Sequence, residues 1–453
     1  MRTSNNKRWY LSLTALLGAV LCLNAQSFQE SFYLRNYALA YRYNPAIVRD
    51  NGFISLGQVS ASSQCNVGAS SFLFPTDDGL VTGLHSSIPS EIFPGTLPEN
   101  IRYRGSLNAG IFAYGFRKGN TFHTFELNAR SIYGVSVPRQ LFELVKLGTG
   151  SGTLGLGEFR VDADLFAELA YGYSRRLNDW LSLGARAKLL LPVCGALVDI
   201  NRLSLTASEE ELAIGYDGEL YLTNRTFHLK TEDEASSDVP SKRSKLGILP
   251  SGAGLAVDLG LVATPAEGLT LSLSVLDLGG IYWYYGNRSA TSGPIMFEGL
   301  ENVGYENLNA NYLKDWLVET AKGYLEIMKP VSRSDRWRWQ SMPLEANLGV
   351  KYEMPFYRRL AVGATGRYLA NAGLPYGEGR FGLEVNPLDW LDLTANVGYG
   401  SLGAVWGVAG AVKMGHFRLT AGLQSGFGGT IPRKIVPLAP HFKSFSFGLS
   451  YDL

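Results

Sequence analysis

Cysteine, histidine and long apolar runs are all scarce in this chain. It has three cysteines in 453 residues, and Cys22 lies in the N-terminal apolar stretch. Cys65 and Cys194 alone make no disulfide scaffold. The five histidines, His85, His123, His228, His416 and His441, show no ligand spacing. Neither a His-Glu-x-x-His pair nor a Gly-x-Ser-x-Gly elbow occurs. No metal, no cofactor and no enzymatic activity are expected. Charged residues make up 18%, and Lys plus Arg (41) nearly balance Asp plus Glu (40). That balance offers no electrostatic case for nucleic-acid binding. No run of about 18 apolar residues follows the N-terminus, so no transmembrane helix is expected.

The chain has instead 52 glycines, 12% aromatics and long period-2 alternation. In the closing stretch Phe445, Phe447, Leu449, Tyr451 and Leu453 share one strand face, and Ser446, Gly448, Ser450 and Asp452 the other. The first face suits lipid and the second a lumen. The hairpin 159–193 repeats the pattern. Leu165, Leu169, Tyr171 and Tyr173 alternate with Asp162, Asp164 and Glu168; after the Asn178-Asp179 turn, Leu183, Leu189 and Leu191 alternate with Arg186 and Lys188. Each arm is longer than the five or six residues of a typical soluble strand, roughly the length of a tilted strand crossing a bilayer.

Arg2, Lys7 and Arg8 precede an apolar core from Trp9 to Leu23, and Leu23-Asn24-Ala25 offers a small-residue cleavage site. Residues 1–25 therefore read as a secretory signal cleaved near Ala25, which shifts the formal charge from +1 to −2. Residues 26–50 alternate little, and Tyr43-Asn44-Pro45-Ala46 reads as a turn. Strands are expected from 53, with hairpins at 105–133, 159–193, 253–277, 344–369, 379–400 and 404–424. Weaker strands fall at 196–206 and 211–223, a short helix at 138–147, and a flexible loop at 148–157. Residues 278–343 break the pattern with the aromatic cluster Ile281–Tyr285 and an amphipathic helix over 310–328 carrying Trp316.

Connections near 119, 178, 208, 266, 356, 388 and 415 are short, and most intervening ones, those near 194 and 402 excepted, are long. Such sorting marks an outer-membrane barrel and has no cause in a soluble sandwich. Counting runs of alternation yields about 16 strands.

The signal, Tyr43-Asn44-Pro45-Ala46, Ser341-Met342-Pro343-Leu344-Glu345 through Tyr352, and Asn386-Pro387-Leu388-Asp389-Trp390-Leu391 carry a resemblance. The chain resembles Gram-negative outer-membrane barrels of the long-chain fatty-acid transporter type, and more closely an uncharacterised barrel family of Bacteroidota. The resemblance implies a 14-stranded barrel, an N-terminal plug containing Asn44, Pro45 and Ala46, and a hydrophobic site near the outer mouth. The expected fold is thus an all-β, transmembrane antiparallel β-barrel of about 14 strands (12–16), with short helices in outer loops. Its parts are the signal 1–25, a plug segment 26–50 and the barrel 51–453, with a long insertion at 278–343.

Glu126, Arg130, Asp162, Asp164, Glu168, Arg186 and Lys188 should face the lumen as a mixed-sign network bracing it. Tyr282, Trp283, Tyr284, Tyr285 and Trp316, placed in a long outer loop, are the candidates for a hydrophobic ligand. The expected function is uptake of small hydrophobic molecules across the outer membrane, with membrane lipid around the barrel. The alternatives are a barrel that assists secretion or surface assembly, and an outer-membrane enzyme with a cluster at its rim.

Overall fold

A computed structural model describes residues 29–35, 37–76, 79–147, 152–207, 212–225, 247–284, 287–296, 338–370, 373–427 and 439–453. The signal segment and the expected helix over 310–328 lie outside the described residues. Fourteen antiparallel strands close into one barrel. In chain order they begin with β1 (Phe53–Cys65), β4 (Asn100–Lys118), β5 (Thr121–Pro138), β6 (Gly152–Arg176), β7 (Leu181–Ala207), β9 (Gly252–Ala266) and β10 (Leu269–Trp283). They continue with β13 (Glu345–Glu353), β14 (Leu360–Leu369), β15 (Tyr376–Leu388), β16 (Leu391–Gly400), β17 (Gly403–Met414), β18 (Phe417–Gly426) and β19 (His441–Asp452). Besides these, β2 (Leu73–Thr76) and β3 (Gly79–Thr82) pair with each other, and the short β12 (Arg338–Ser341) extends β10 ahead of β13. Closure comes from β1 pairing with β19, Phe53 opposite Asp452 and Cys65 opposite His441. No edge is left in the ring, as a bilayer requires of a sheet that crosses it.

Two expected strands add nothing to the ring, one because it merges with its neighbour and one because it pairs outside the ring, which accounts for the overcount. The runs 181–193 and 196–206 are one strand, β7, of 27 residues. Leu165 faces Cys194 and Phe166 faces Pro192, so Val193 is an extra residue in a bulge that absorbs the proline. The strand β8 (Leu212–Asn224) pairs with the far half of β7 and with β11 (Asn287–Met296), outside the ring. The loop expected over 148–157 is shorter than supposed, because β6 already starts at Gly152. The expected helix is present at Gln140–Leu147.

Along β19, Phe447 and Leu449 are exposed while Ser444, Ser446, Ser450 and Asp452 are buried. The barrel thus turns its apolar side chains outward, the inverse of a soluble core. Short turns such as Lys118–Thr121 and Met414–Phe417 gather at one end, the periplasmic end by this rule.

Phe447 stands midway along β19, beside Val59 and Ala421. Phe447→Arg is expected to destabilise the barrel by about 2–4 kcal/mol, read from urea unfolding in lipid vesicles.

Candidate functional site

Inside the barrel the alternating polar face does two jobs: it pairs with itself, and it holds residues 29–50. The self-paired part is a cluster on β5, β6, β7, β9 and β10. Arg130 donates to Glu168 at 2.6 Å and to Asp277 at 2.8 and 3.0 Å. Arg186 bonds Asp258 at 2.8 Å and also Glu126. Lys188 reaches Asp258 at 2.6 Å and Asp277 at 2.7 Å. Charges removed from water persist only when paired and hydrogen-bonded, and these are. Asp164 lies further toward the long loops, where it accepts from Gln340, and Asp162 sits 3.6 Å from Arg160.

Asp258 belongs to this cluster but was not singled out from the sequence, although Val257 and Leu259 flank it in regular alternation. Asp277 could not be found that way. Leu271, Leu273 and Val275 point outward, so strict alternation would send Asp277 into lipid. A register shift between Val275 and Leu278 turns it into the lumen. Its φ is 60°, a left-handed conformation that costs a non-glycine residue about 1–2 kcal/mol. The backbone N–H donates to Asp258 Oδ1 at 2.8 Å, and the side chain meets Arg130 and Lys188.

Residues 29–50 cross the lumen and touch strands all round it. Glu30, fully buried, accepts from Asn396 Nδ2 at 2.9 Å, from Gln424 and from Arg380 at 3.4 Å. Burial pushes its carboxyl above the ordinary value, against the pull of Arg380 and the two amides. Gln29 donates to Asn347 at 2.9 Å, and Arg42 joins Glu126 and Asn128. Near the short turns Arg49 donates to Asp452 at 3.0 Å. Asn44 donates to Leu261 O at 2.9 Å, Ser272 Oγ at 2.7 Å and Leu273 O at 3.1 Å, and its own Oδ1 accepts from Ala46 N–H at 2.8 Å. The Asn-Pro-Ala turn rests on two glycines: a Cβ at Gly260 would overlap Asn44 Oδ1, and one at Gly184 would overlap Pro45 O. Here glycine is needed for close approach of one backbone to another.

The expected aromatic residues part company. β10 continues through Trp283, so this cluster begins on a strand and not in a loop. Tyr282 points outward and packs on Trp339 with ring centroids 4.6 Å apart. Trp283 points inward, 2% exposed, and donates to Gln340 Oε1 at 2.9 Å. Tyr284 is half-buried, its N–H bonded to Ser251 O at 2.9 Å. Tyr285 and Trp316 lie outside the described residues. Trp283 joins Ile132, Phe166, Leu190, Ile281 and Met342 in an inward apolar patch on the long-loop side of the charge cluster.

The family of unknown function DUF5723 matches residues 45–423. The chain belongs to that family. No curated protein matches it. Solved structures similar to this DUF5723 member include a TodX deletion mutant titled a monoaromatic hydrocarbon channel, at 12% identity, 96% and 98% coverage of the two chains and a TM-score of 0.47. A Pseudomonas aeruginosa FadL homologue follows at 12% identity, 95% and 99% coverage and 0.45. The Ralstonia pickettii toluene transporter TbuX follows at 11% identity, 92% and 93% coverage and 0.43.

Asp258→Ala removes the shared partner of Arg186 and Lys188 and is expected to cost about 3–5 kcal/mol in urea unfolding. Asp162→Ala, half-buried beside the exposed Arg160, should cost no more than about 1 kcal/mol.

Proposed function

We propose that this protein sits in the outer membrane of a Gram-negative cell, after signal cleavage near Ala25, and takes up small hydrophobic molecules. The observation that carries the reading is the inward apolar patch of Ile132, Phe166, Leu190, Ile281, Trp283 and Met342. The inner wall of a water-filled pore gains nothing from large inward apolar side chains, whereas they suit the route of an apolar solute. The patch lies between the long loops, which face the cell exterior, and a lumen crossed by residues 29–50. A molecule leaving the outer surface would meet the patch before it met the charge cluster. In this reading the segment 29–50 is a plug that keeps polar solutes from leaking through. The mixed charges brace the wall, since a selective ion pore would carry one dominant sign. Membrane lipid surrounds the barrel, and the activity is transport and not catalysis.

Native mass spectrometry of gently extracted protein should show a discrete co-purifying hydrophobic molecule. Trp283→Ala should weaken its binding by about tenfold or more, since burying an aromatic ring is worth at least about 1.4 kcal/mol. An empty barrel that carries a protein partner would replace this reading with a role in secretion or surface assembly.

A further inference from the structure

Two cavities lie one beyond the other along the barrel axis. One, of about 100 Å³, is bounded by the charge cluster and by Arg42, Tyr43 and Gln58. The other, of about 490 Å³, opens toward the short turns beside Trp180, Thr270 and Glu353. Four strands run past both, β6 with Glu168 at the first and Arg176 at the second. On β7 Arg186 borders the first and Ser182 the second, with Gly184 between them. On β10 Leu276 borders the first and Ser272 the second, with Ser274 between. On β13 the pair is Glu345 and Lys351, with Asn347 and Gly349 between.

These intermediate wall positions are where residues 29–50 make contact. Gly184 meets Pro45, Ser274 Oγ donates to Tyr43 O at 2.6 Å, Asn347 accepts from Gln29, and Gly349 faces the Phe32 ring. On β7, β10 and β13 a shallow collar therefore divides the two cavities. Of the residues in 29–50, Ser31 and Tyr37 line both.

We propose that solute crosses this collar at Tyr37 and Ser31 while residues 29–50 stay seated, with the Tyr37 side chain setting the width limit. This inference rests on the transport reading and names its constriction. Withdrawing the segment would leave Glu126 without Arg42, Asp452 without Arg49, and Arg380 without Glu30, all buried. Tyr37 is held more lightly: its hydroxyl accepts from the Gln58 amide at 3.2 Å, beside Arg42 and Glu126. Ser31 is small and uncharged. The lower cavity mixes Leu34, Ile47 and Val48 with Arg35, Arg49 and Asp50 along its segment side, so the collar at Ser31 and Tyr37 is its uncharged point of entry. The solute class that fits is slender and uncharged.

The test uses the mature protein in liposomes, with a pentose as osmotic probe and protease resistance of residues 29–50 read alongside. Tyr37→Ala should swell liposomes several-fold faster than wild type and Tyr37→Phe at the wild-type rate, with the segment protease-resistant in both. A wild-type rate for Tyr37→Ala overturns the proposal, and so does faster swelling accompanied by cleavage of the segment. Should Tyr37→Ala not fold, Tyr37→Cys in a Cys65→Ser, Cys194→Ser background serves. Its swelling should rise and then fall when a bulky, impermeant thiol reagent is added, and a rate indifferent to the reagent overturns the proposal. Hydrophobic-ligand binding, measured separately by native mass spectrometry, reports on the transport reading: a barrel that opens at Tyr37 but binds no such ligand counts against uptake and leaves the constriction standing.

Discussion

A closed strand ring in lipid has no free backbone to offer, so whatever holds the interior must come from inward side chains. That constraint governs this protein. Each membrane strand spends half its side chains on lipid and half on the lumen, and the lumen half carries buried charges that must find partners. Arg186 and Lys188 share Asp258, Arg130 and Lys188 share Asp277, and Glu126 takes both Arg186 and Arg42. The last contact comes from residues 29–50, so the segment is part of the charge balance of the wall. Its far end is tied in the same way through Arg49 to Asp452, on the strand that closes the barrel.

The same economy explains the glycines inside the barrel. The segment approaches the wall closely enough that a methyl group at Gly184, Gly260 or Gly407 would overlap it. At Gly407 the overlap is with Glu30 Oε1, the carboxylate that gathers Arg380, Asn396 and Gln424. Polar anchors fix where the segment sits, and glycines leave the room for it. Further apolar clusters line the interior around Phe53 and Phe122 and around Tyr376 and Phe442; the patch around Trp283, beyond the charge cluster, carries the functional reading.

Much of this could be read from residue order. The alternation of Leu165–Tyr173 against Asp164 and Glu168, and of Phe447 and Leu449 against Ser446 and Ser450, placed both faces because a period of two survives wherever pairing is regular. It failed where pairing is irregular. The bulge at Val193 joined two runs into one strand, and the bulge before Leu278 moved Asp277 across the wall. Neither leaves a mark in composition. The aromatic cluster was visible as a cluster, yet its division into outward Tyr282 and inward Trp283 depended on β10 continuing past that bulge. The resemblance implied a plug at residues 26–50, but its contacts were opaque in residue order because the partners lie hundreds of positions away, as Glu30 with Gln424 or Asn44 with Ser272.

Residues 29–50 are an integral, hydrogen-bonded part of the barrel interior. Hydrogen–deuterium exchange on the mature protein in lipid bilayers measures this. Peptides covering residues 29–50 should exchange as slowly as those from β18 and β19. Exchange as fast as at the exposed turn residues 118–121 would overturn it.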